Sequence, residues 1–81
     1  MSTAGRSRKL SRPLRLKDGR IITTLAGARD FMGGFRESLQ NTEHWRDAEE
    51  LLLKASASGH RVAIERATLQ TERALKAEGF L

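Results

Sequence analysis

The side chains with the clearest capacity for binding chemistry are cations near the N-terminal end of the chain. The first twenty residues hold seven Lys and Arg and one acid, whereas residues 21–81 hold eight cations and nine acids, so the net charge of +5 belongs to one end. Such a cluster attracts nucleic acid by counterion release and acidic surfaces by Coulomb forces. We therefore predict that the following residues bind a nucleic acid or another anionic partner: Arg6, Arg8, Lys9, Arg12, Arg15, Lys17 and Arg20.

Residue types that support catalysis or bind metals are few and scattered. The chain has no Cys and no glycine-rich phosphate loop, and its two histidines, His44 and His60, lie sixteen residues apart. On one helix that separation is about 24 Å, too far for a shared metal ion. The acids Asp47, Glu49 and Glu50 are typical of the solvated face of a helix. We predict a protein that is not an enzyme and has no metal site and no cofactor.

A β-hairpin is predicted over residues 14–24 and would present part of the cationic cluster. Asp18-Gly19 lies between two alternating segments, which is the strongest short-range hairpin signal. A two-residue turn of type I′ there places Leu16 opposite Ile21, and opposite residues share a face. The apolar face then holds Leu14, Leu16, Ile21 and Thr23, and the cationic face holds Arg15, Lys17, Arg20 and Ile22.

Residues 1–12 are predicted to form a disordered basic arm, because they combine small polar residues with cations and offer no apolar face. Pro13 then begins a single small domain over residues 13–81. An isolated two-stranded ribbon is marginally stable in water, so its apolar face must pack on helices or on a second copy. A homodimer through the ribbon is one predicted possibility.

Three helices are predicted after the ribbon, at residues 25–36, 43–58 and 61–78, because apolar residues recur there at spacings of three and four. Gly59 leaves only a short connection between the last two helices, which predicts an antiparallel αα-hairpin. The predicted fold class is mainly α with a small β-hairpin. A helix-turn-helix DNA-binding motif fits poorly, because the polar residue His60 follows Gly59 where an apolar residue is needed.

The helix ends carry specific signals. Thr24 is a predicted N-cap of the first helix, and Gly79 with Phe80 predicts a Schellman ending of the last. Trp45, the only tryptophan, lies on the apolar stripe of the middle helix. It is interpreted as a core anchor or, alternatively, as an anchor in an interface with a partner.

Turn, cap and core positions follow a definite order from the hairpin to the C-terminus. They are the run LKDGRIITTL at residues 16–25, followed by Ala28, Phe31-Met32, Trp45, Ala48-Glu49, Leu51-Leu52, Ala55, Gly59, Ala67-Thr68, Ala74-Leu75 and Gly79. Over residues 16–81 this pattern resembles that of short uncharacterised proteins of proteobacteria. The resemblance implies a shared fold and carries no function to this chain.

Two functions from different classes fit these features. The first is a small basic accessory protein that binds nucleic acid or a nucleoprotein, with the arm supplying long-range attraction. The second is a protein-binding module or inhibitor, such as one encoded by a mobile element, that docks on an acidic surface of a larger complex. No apolar run reaches the roughly 18 residues of a membrane span, and the arm lacks the apolar anchors of membrane binding. We expect a cytoplasmic location.

Overall fold

The structure is a computed structural model that describes residues 8–35 and 42–81. Two antiparallel strands precede three helices, which confirms the predicted fold class. The elements are β1 (Lys9–Arg15), β2 (Ile21–Thr24), α1 (Leu25–Gly33), α2 (Glu43–Ser58) and α3 (Arg61–Ala77).

The elements form a closed ring around one small core. Each packs against the next element in the chain, and α3 closes the ring by packing on β1. The first strand and the last helix are therefore neighbours, so the fold depends on contacts between the two ends of the chain. Among the described residues, no helix is long and apolar enough to cross a membrane.

The hairpin turn is one residue longer than predicted. The Gly19 N–H donates to the Leu16 carbonyl at 3.1 Å, and the Leu16 N–H donates to the Arg20 carbonyl at 2.8 Å. Gly19 has φ of 96°, whereas no described non-glycine residue has a positive φ. A type I′ turn needs positive φ at Asp18 as well, so the structure has instead a type I turn followed by a left-handed glycine. The expected two-residue turn is wrong.

The longer turn changes the strand register and places Ile21, Ile22 and Thr23 on the faces opposite to those predicted. Arg15 pairs with Ile21 and Leu14 with Ile22, so the predicted pairing is wrong by one residue. Because neighbouring residues on a strand point to opposite faces, such a shift moves a side chain from one side to the other. Ile22 is 7% exposed and belongs to the core, whereas Ile21 is 52% exposed and Thr23 is also exposed.

The first strand begins earlier than predicted. It starts at Lys9, and Leu10 is buried in the core, so the expected boundary of the arm at residue 12 is corrected. The signal was present in the sequence, because Leu10 is the one large apolar residue before Pro13 apart from Met1. Residues 1–7 of the predicted arm lie outside the described residues.

An irregularity in β1 accommodates the proline within the strand. The register shifts between Lys9 and Leu14, so this segment bulges away from β2. Pro13 lies in the bulge, which is where a residue without an N–H is tolerated. The Ser11 N–H turns instead to α3 and donates to the Thr68 hydroxyl at 3.0 Å. The bulge thereby attaches β1 to the last helix.

The helix ends follow the predicted signals. The Thr24 hydroxyl accepts a hydrogen bond from the Gly27 N–H at 2.9 Å and caps α1, which ends at Gly33. Residue 36, the predicted end of that helix, lies outside the described residues. Gly59, with φ of 70°, follows the end of α2 at Ser58, and only Gly59 and His60 separate α2 from α3, which begins at Arg61.

The C-terminus is fixed to the hairpin. The Phe80 N–H donates to the Leu75 carbonyl at 2.8 Å and the Gly79 N–H to the Lys76 carbonyl at 3.1 Å, which together form the predicted Schellman motif. The Phe80 carbonyl accepts a hydrogen bond from the Lys17 N–H at 2.9 Å. The hairpin turn therefore lies at the C-terminal end of α3.

Trp45 lies at the centre of the core and is 1% exposed. Its indole N–H donates to the Met32 carbonyl at 3.4 Å, and its ring packs against Phe35 and Phe80. These contacts support the core-anchor interpretation. The indole is not presented on the surface, so the alternative of an interface anchor finds no support in its position.

Candidate anion-binding surface

Two of the seven predicted cations are paired with carboxylates. The Arg12 guanidinium donates to the Glu72 carboxylate on α3. The Arg20 guanidinium donates to the Asp18 carboxylate at 2.8 Å and lies over the Phe31 ring, 5.3 Å from its centroid. These partners neutralise both charges locally. Arg12 and Arg20 are therefore less available to an anionic ligand than their sequence positions suggest.

The Asp18–Arg20 pair is part of the turn. The backbone N–H of Arg20 donates to the Asp18 carboxylate at 3.0 Å, in addition to the bond from the guanidinium. These two hydrogen bonds lower the pKa of the Asp18 carboxyl below its ordinary value, because they favour its charged form. Asp18 therefore remains an anion at neutral pH and keeps Arg20 paired.

Arg8 is exposed and contacts the start of α1 and the end of α2. Its carbonyl accepts a hydrogen bond from the Leu25 N–H at the start of α1, at 2.8 Å. Its guanidinium lies against Gly59, where a Cβ would be 2.5 Å from the Arg8 Cζ. A cation beside the C-terminus of α2 is stabilised by the negative end of the helix dipole. Arg6, the remaining cation of the arm, lies outside the described residues.

Three further predicted cations are exposed and unpaired. Lys9, Arg15 and Lys17 have no carboxylate partner among residues 8–35 and 42–81. They follow one another along β1 and into the turn, over a length of at most about 26 Å at 3.3 Å per residue. Buried residues of the same strand, Leu10 and Leu14, hold its other face to the core. We call Lys9, Arg15 and Lys17 the β1 cations.

Sequence analysis missed a second group of cations, on the solvent face of α3. Arg66, Arg73 and Lys76 are exposed and have no acidic partner within the described part of the chain. Val62, 59% exposed, lies one turn before Arg66, and Leu69, 43% exposed, lies between Arg66 and Arg73. Their spacing of three and four residues marks one helix face and was available in the sequence. The cationic face was not predicted because only the apolar positions of this helix were considered, as candidates for the core.

The two groups of cations meet at one end of the molecule. The hydrogen bond from Lys17 to Phe80 places the hairpin turn beside the last turn of α3, which carries Lys76. The Arg12–Glu72 pair lies between β1 and α3. The arrangement therefore presents two lines of positive charge separated by one neutralised pair.

No group of three His, Cys, Asp or Glu side chains that would hold a metal ion occurs in the part of the chain that the structure describes. His44 hydrogen-bonds the Glu78 carboxylate at 3.2 Å, where it links the start of α2 to the end of α3. The β1 cations instead supply a line of ammonium and guanidinium donors, which are suited to phosphate or carboxylate oxygens.

Comparison of the chain with protein families, with curated proteins and with solved structures finds no match.

Proposed function

We propose that this protein is a small, non-enzymatic accessory protein that binds nucleic acid, free or within a nucleoprotein. The observation that carries the proposal is the line of β1 cations, which are exposed, have no carboxylate partner within the described residues, and lie along a strand and turn fixed to the core. Nucleic acid is a line of closely spaced negative charges, so several cations in a row engage it together and release counterions. Arg6, just before this line in the sequence, adds to the attraction.

The proposed contact is with phosphates rather than with base edges. Phosphate contacts orient a protein on nucleic acid but carry no sequence information. Binding to single strands usually adds stacking of bases on exposed aromatic rings. Trp45 is buried, and Phe31, Phe35 and Phe80 are half-buried against the core and away from the β1 cations in sequence, so we do not assign base stacking to these rings. We therefore expect binding with little sequence preference and a strong dependence on salt.

A titration of fluorescent duplex DNA and duplex RNA at low salt tests the proposal. The test variant is K9Q/R15Q/K17Q, which removes the β1 cations. The matched control is R29Q/R46Q/K54Q, which removes equal charge from exposed positions on α1 and α2. The test variant should bind more weakly, and the log–log slope of affinity against salt should flatten by up to about 2.7, at 0.9 per lost contact.

Two results of this titration would end the proposal. Equal weakening by the two triple variants would mean that net charge alone attracts the nucleic acid. Absence of binding by the wild type below about 100 μM would leave only the weakest non-specific affinities. An acidic protein surface would then be the alternative, and a pull-down whose partners survive nuclease treatment would favour it.

The cytoplasm is the compartment that we propose. The chain contains no Cys, so its fold does not depend on disulfides and suits a reducing environment.

A further inference from the structure

A groove runs between the outer edge of β2 and helix α1, away from the contact of β1 with α3. It has a volume of about 480 Å³. Ile21 and Thr23 form the strand side, Gly27 and Phe31 the helix side, and Arg20 one end. A site of this size accommodates several side chains of a ligand. Within residues 8–35 and 42–81, β2 has a strand neighbour on one side only, and the groove lies along its other side.

The strand side of the groove presents unused backbone hydrogen-bonding groups. The Arg20 carbonyl accepts from the Leu16 N–H, so it points toward β1, and the N–H of Ile21 in the same peptide group points away from β1. Pairs on an antiparallel ladder alternate, so Leu14 and Ile22 exchange hydrogen bonds while Ile21 is in the pair that does not. The Ile21 N–H and C=O and the Thr23 N–H therefore point into the groove.

This edge lacks the features that usually prevent pairing with another strand. Proteins protect exposed edges with charged residues, proline or bulges. β2 has the sequence IITT, with no charge and no proline, and its Ile21 side chain is 52% exposed. In β1, by contrast, Lys9, Arg12, Pro13 and Arg15 supply all of these features. The open edge of β2 is thus suited to adding a strand.

We propose that the groove binds an extended acidic segment of a partner protein, which adds to the sheet as a third strand beside β2. Main-chain hydrogen bonds to an exposed edge, together with pockets for alternate side chains, are a common way of recognising peptides. This inference goes beyond nucleic-acid binding and describes a second, separate partner.

Charge complementarity determines the chemistry of this segment. Arg15 lies opposite Ile21, and both are on the exposed side of the sheet, where Lys17 also lies near the turn. Acidic side chains on that side of the added strand would lie on the same face as these cations, with β1 about 10 Å away across β2. On the other side the strand meets Phe31, and the acid Asp30 also lines the groove, so apolar side chains are favoured there. The segment therefore alternates acidic with apolar residues.

A second copy of this chain is a poorer occupant. α1 begins at Leu25, directly after the last residue of β2, so a second β2 would bring its own α1 into the same groove. Two copies also carry a net charge of +5 each and repel one another. A single extended segment avoids both difficulties.

The first experiment uses a short fluorescent peptide in which Glu alternates with Val, and the full-length protein. Amide hydrogen exchange should slow by at least about tenfold at Ile21 and Thr23 when the peptide is added. The Ile22 amide, already bonded to Leu14, should not change and serves as the internal reference. If the Ile21 amide is already protected from exchange without peptide, and this protection increases with protein concentration, the occupant is a second copy of the chain and the proposal is overturned.

The second experiment uses two N-methylated forms of the peptide. Because only every other amide of a strand faces its neighbour, methylation of one alternating set should abolish binding and methylation of the other should leave it intact. Equal binding of both forms would mean that attraction is electrostatic only and would overturn the proposal. So would absence of binding by the unmodified peptide at about 1 mM.

The third experiment changes the edge of the protein. Thr23→Pro removes the outward N–H, at an edge position where proline is tolerated, and Thr23→Val keeps it. The proline variant should lose at least about tenfold in peptide affinity while the valine variant does not. Both should bind duplex DNA as the wild type does, which distinguishes loss of strand pairing at β2 from loss of attraction by the β1 cations. If both variants fold and bind the peptide with equal affinity, the proposal is contradicted. If the proline variant does not fold, the hydrogen-exchange and N-methylation experiments decide whether the proposal stands.

Discussion

The two strands of the hairpin differ in charge, in length and in what lies beside them. β1 has seven residues, carries three cations and a proline, and packs its outer edge against α3. β2 has four uncharged residues and an outer edge that borders an open groove. They are joined by one short turn and share one core. One strand therefore offers charge to a partner, and the other offers backbone hydrogen bonds.

This difference shows how a domain of 81 residues keeps two kinds of surface apart. A strand that carries Lys and Arg resists pairing with another strand, and an uncharged strand attracts no polyanion. Placing both on one hairpin puts the two surfaces at a fixed distance. Variants of each strand and of the turn test whether the two strands differ in burial and charge as the structure indicates.

The largest effect is expected from truncating the buried isoleucine of β2, compared with truncating its exposed neighbour. Ile22→Ala should lower the free energy of unfolding by about 2–3 kcal/mol, because it leaves a cavity beside Leu14, whereas Ile21→Ala should cost less than about 1 kcal/mol. Chemical denaturation of the two variants measures both. The residues are adjacent and identical in type, so each is the control for the other. The reverse order of stabilities would restore the two-residue turn and the register predicted from sequence.

The strand register is the part of the hairpin that the sequence pattern did not predict correctly. Asp18-Gly19 correctly predicted a hairpin, since both turn types place glycine at a left-handed position. The two types differ in the conformation of Asp18, and its hydrogen bonds to Arg20 in the observed turn depend on geometry that the pattern does not contain. The helices were predicted more accurately, because caps and periodicity involve residues close in sequence.

The candidate surface was predicted less well than the fold, for a similar reason. Charge counts identified the cationic end of the chain but not which cations would find partners. Arg12 pairs with Glu72, sixty residues away in sequence, and that contact exists only because α3 packs on β1. Leu10 was assigned to the arm because its partners in the core lie on distant elements. Long-range packing thus decides which charges remain free.

The next largest effect concerns the turn that joins the strands. Gly19→Ala should cost about 1–2 kcal/mol, because φ of 96° is unfavourable for a residue with a Cβ. No atom lies within 4 Å of the added Cβ, so the cost is conformational. The control is Gly33→Ala, which also meets no atom within 4 Å but lies in α1, and should stabilise by up to about 1 kcal/mol. Thermal unfolding measures both variants, and equal effects would contradict the left-handed turn.

A smaller effect should follow from releasing a paired cation on β1. Glu72→Gln removes the carboxylate that neutralises Arg12, so the salt dependence of nucleic-acid binding should steepen by about 0.9 in log–log slope. Glu65→Gln changes the net charge equally, from an exposed position on the same helix, without releasing Arg12. The same titration of duplex DNA compares them. Equal slopes would mean that Arg12 does not join the β1 cations, and that only net charge matters.

The smallest effect is a pH dependence confined to the turn. The pKa of Asp18 is lowered in the folded protein by the backbone N–H and then the side chain of Arg20, so its stabilising contribution is present above the ordinary Asp pKa. That contribution is lost as pH falls through the lower folded value. Asp18→Asn should therefore show a slightly shallower loss of thermal stability below about pH 4 than the wild type. Asp30→Asn, which changes an exposed acid outside the turn, should retain the wild-type profile. Superimposable acid profiles for wild type and Asp18→Asn would mean that the Asp18–Arg20 pair does not stabilise the turn. The turn that joins the two strands would then depend on the conformation of Gly19 alone.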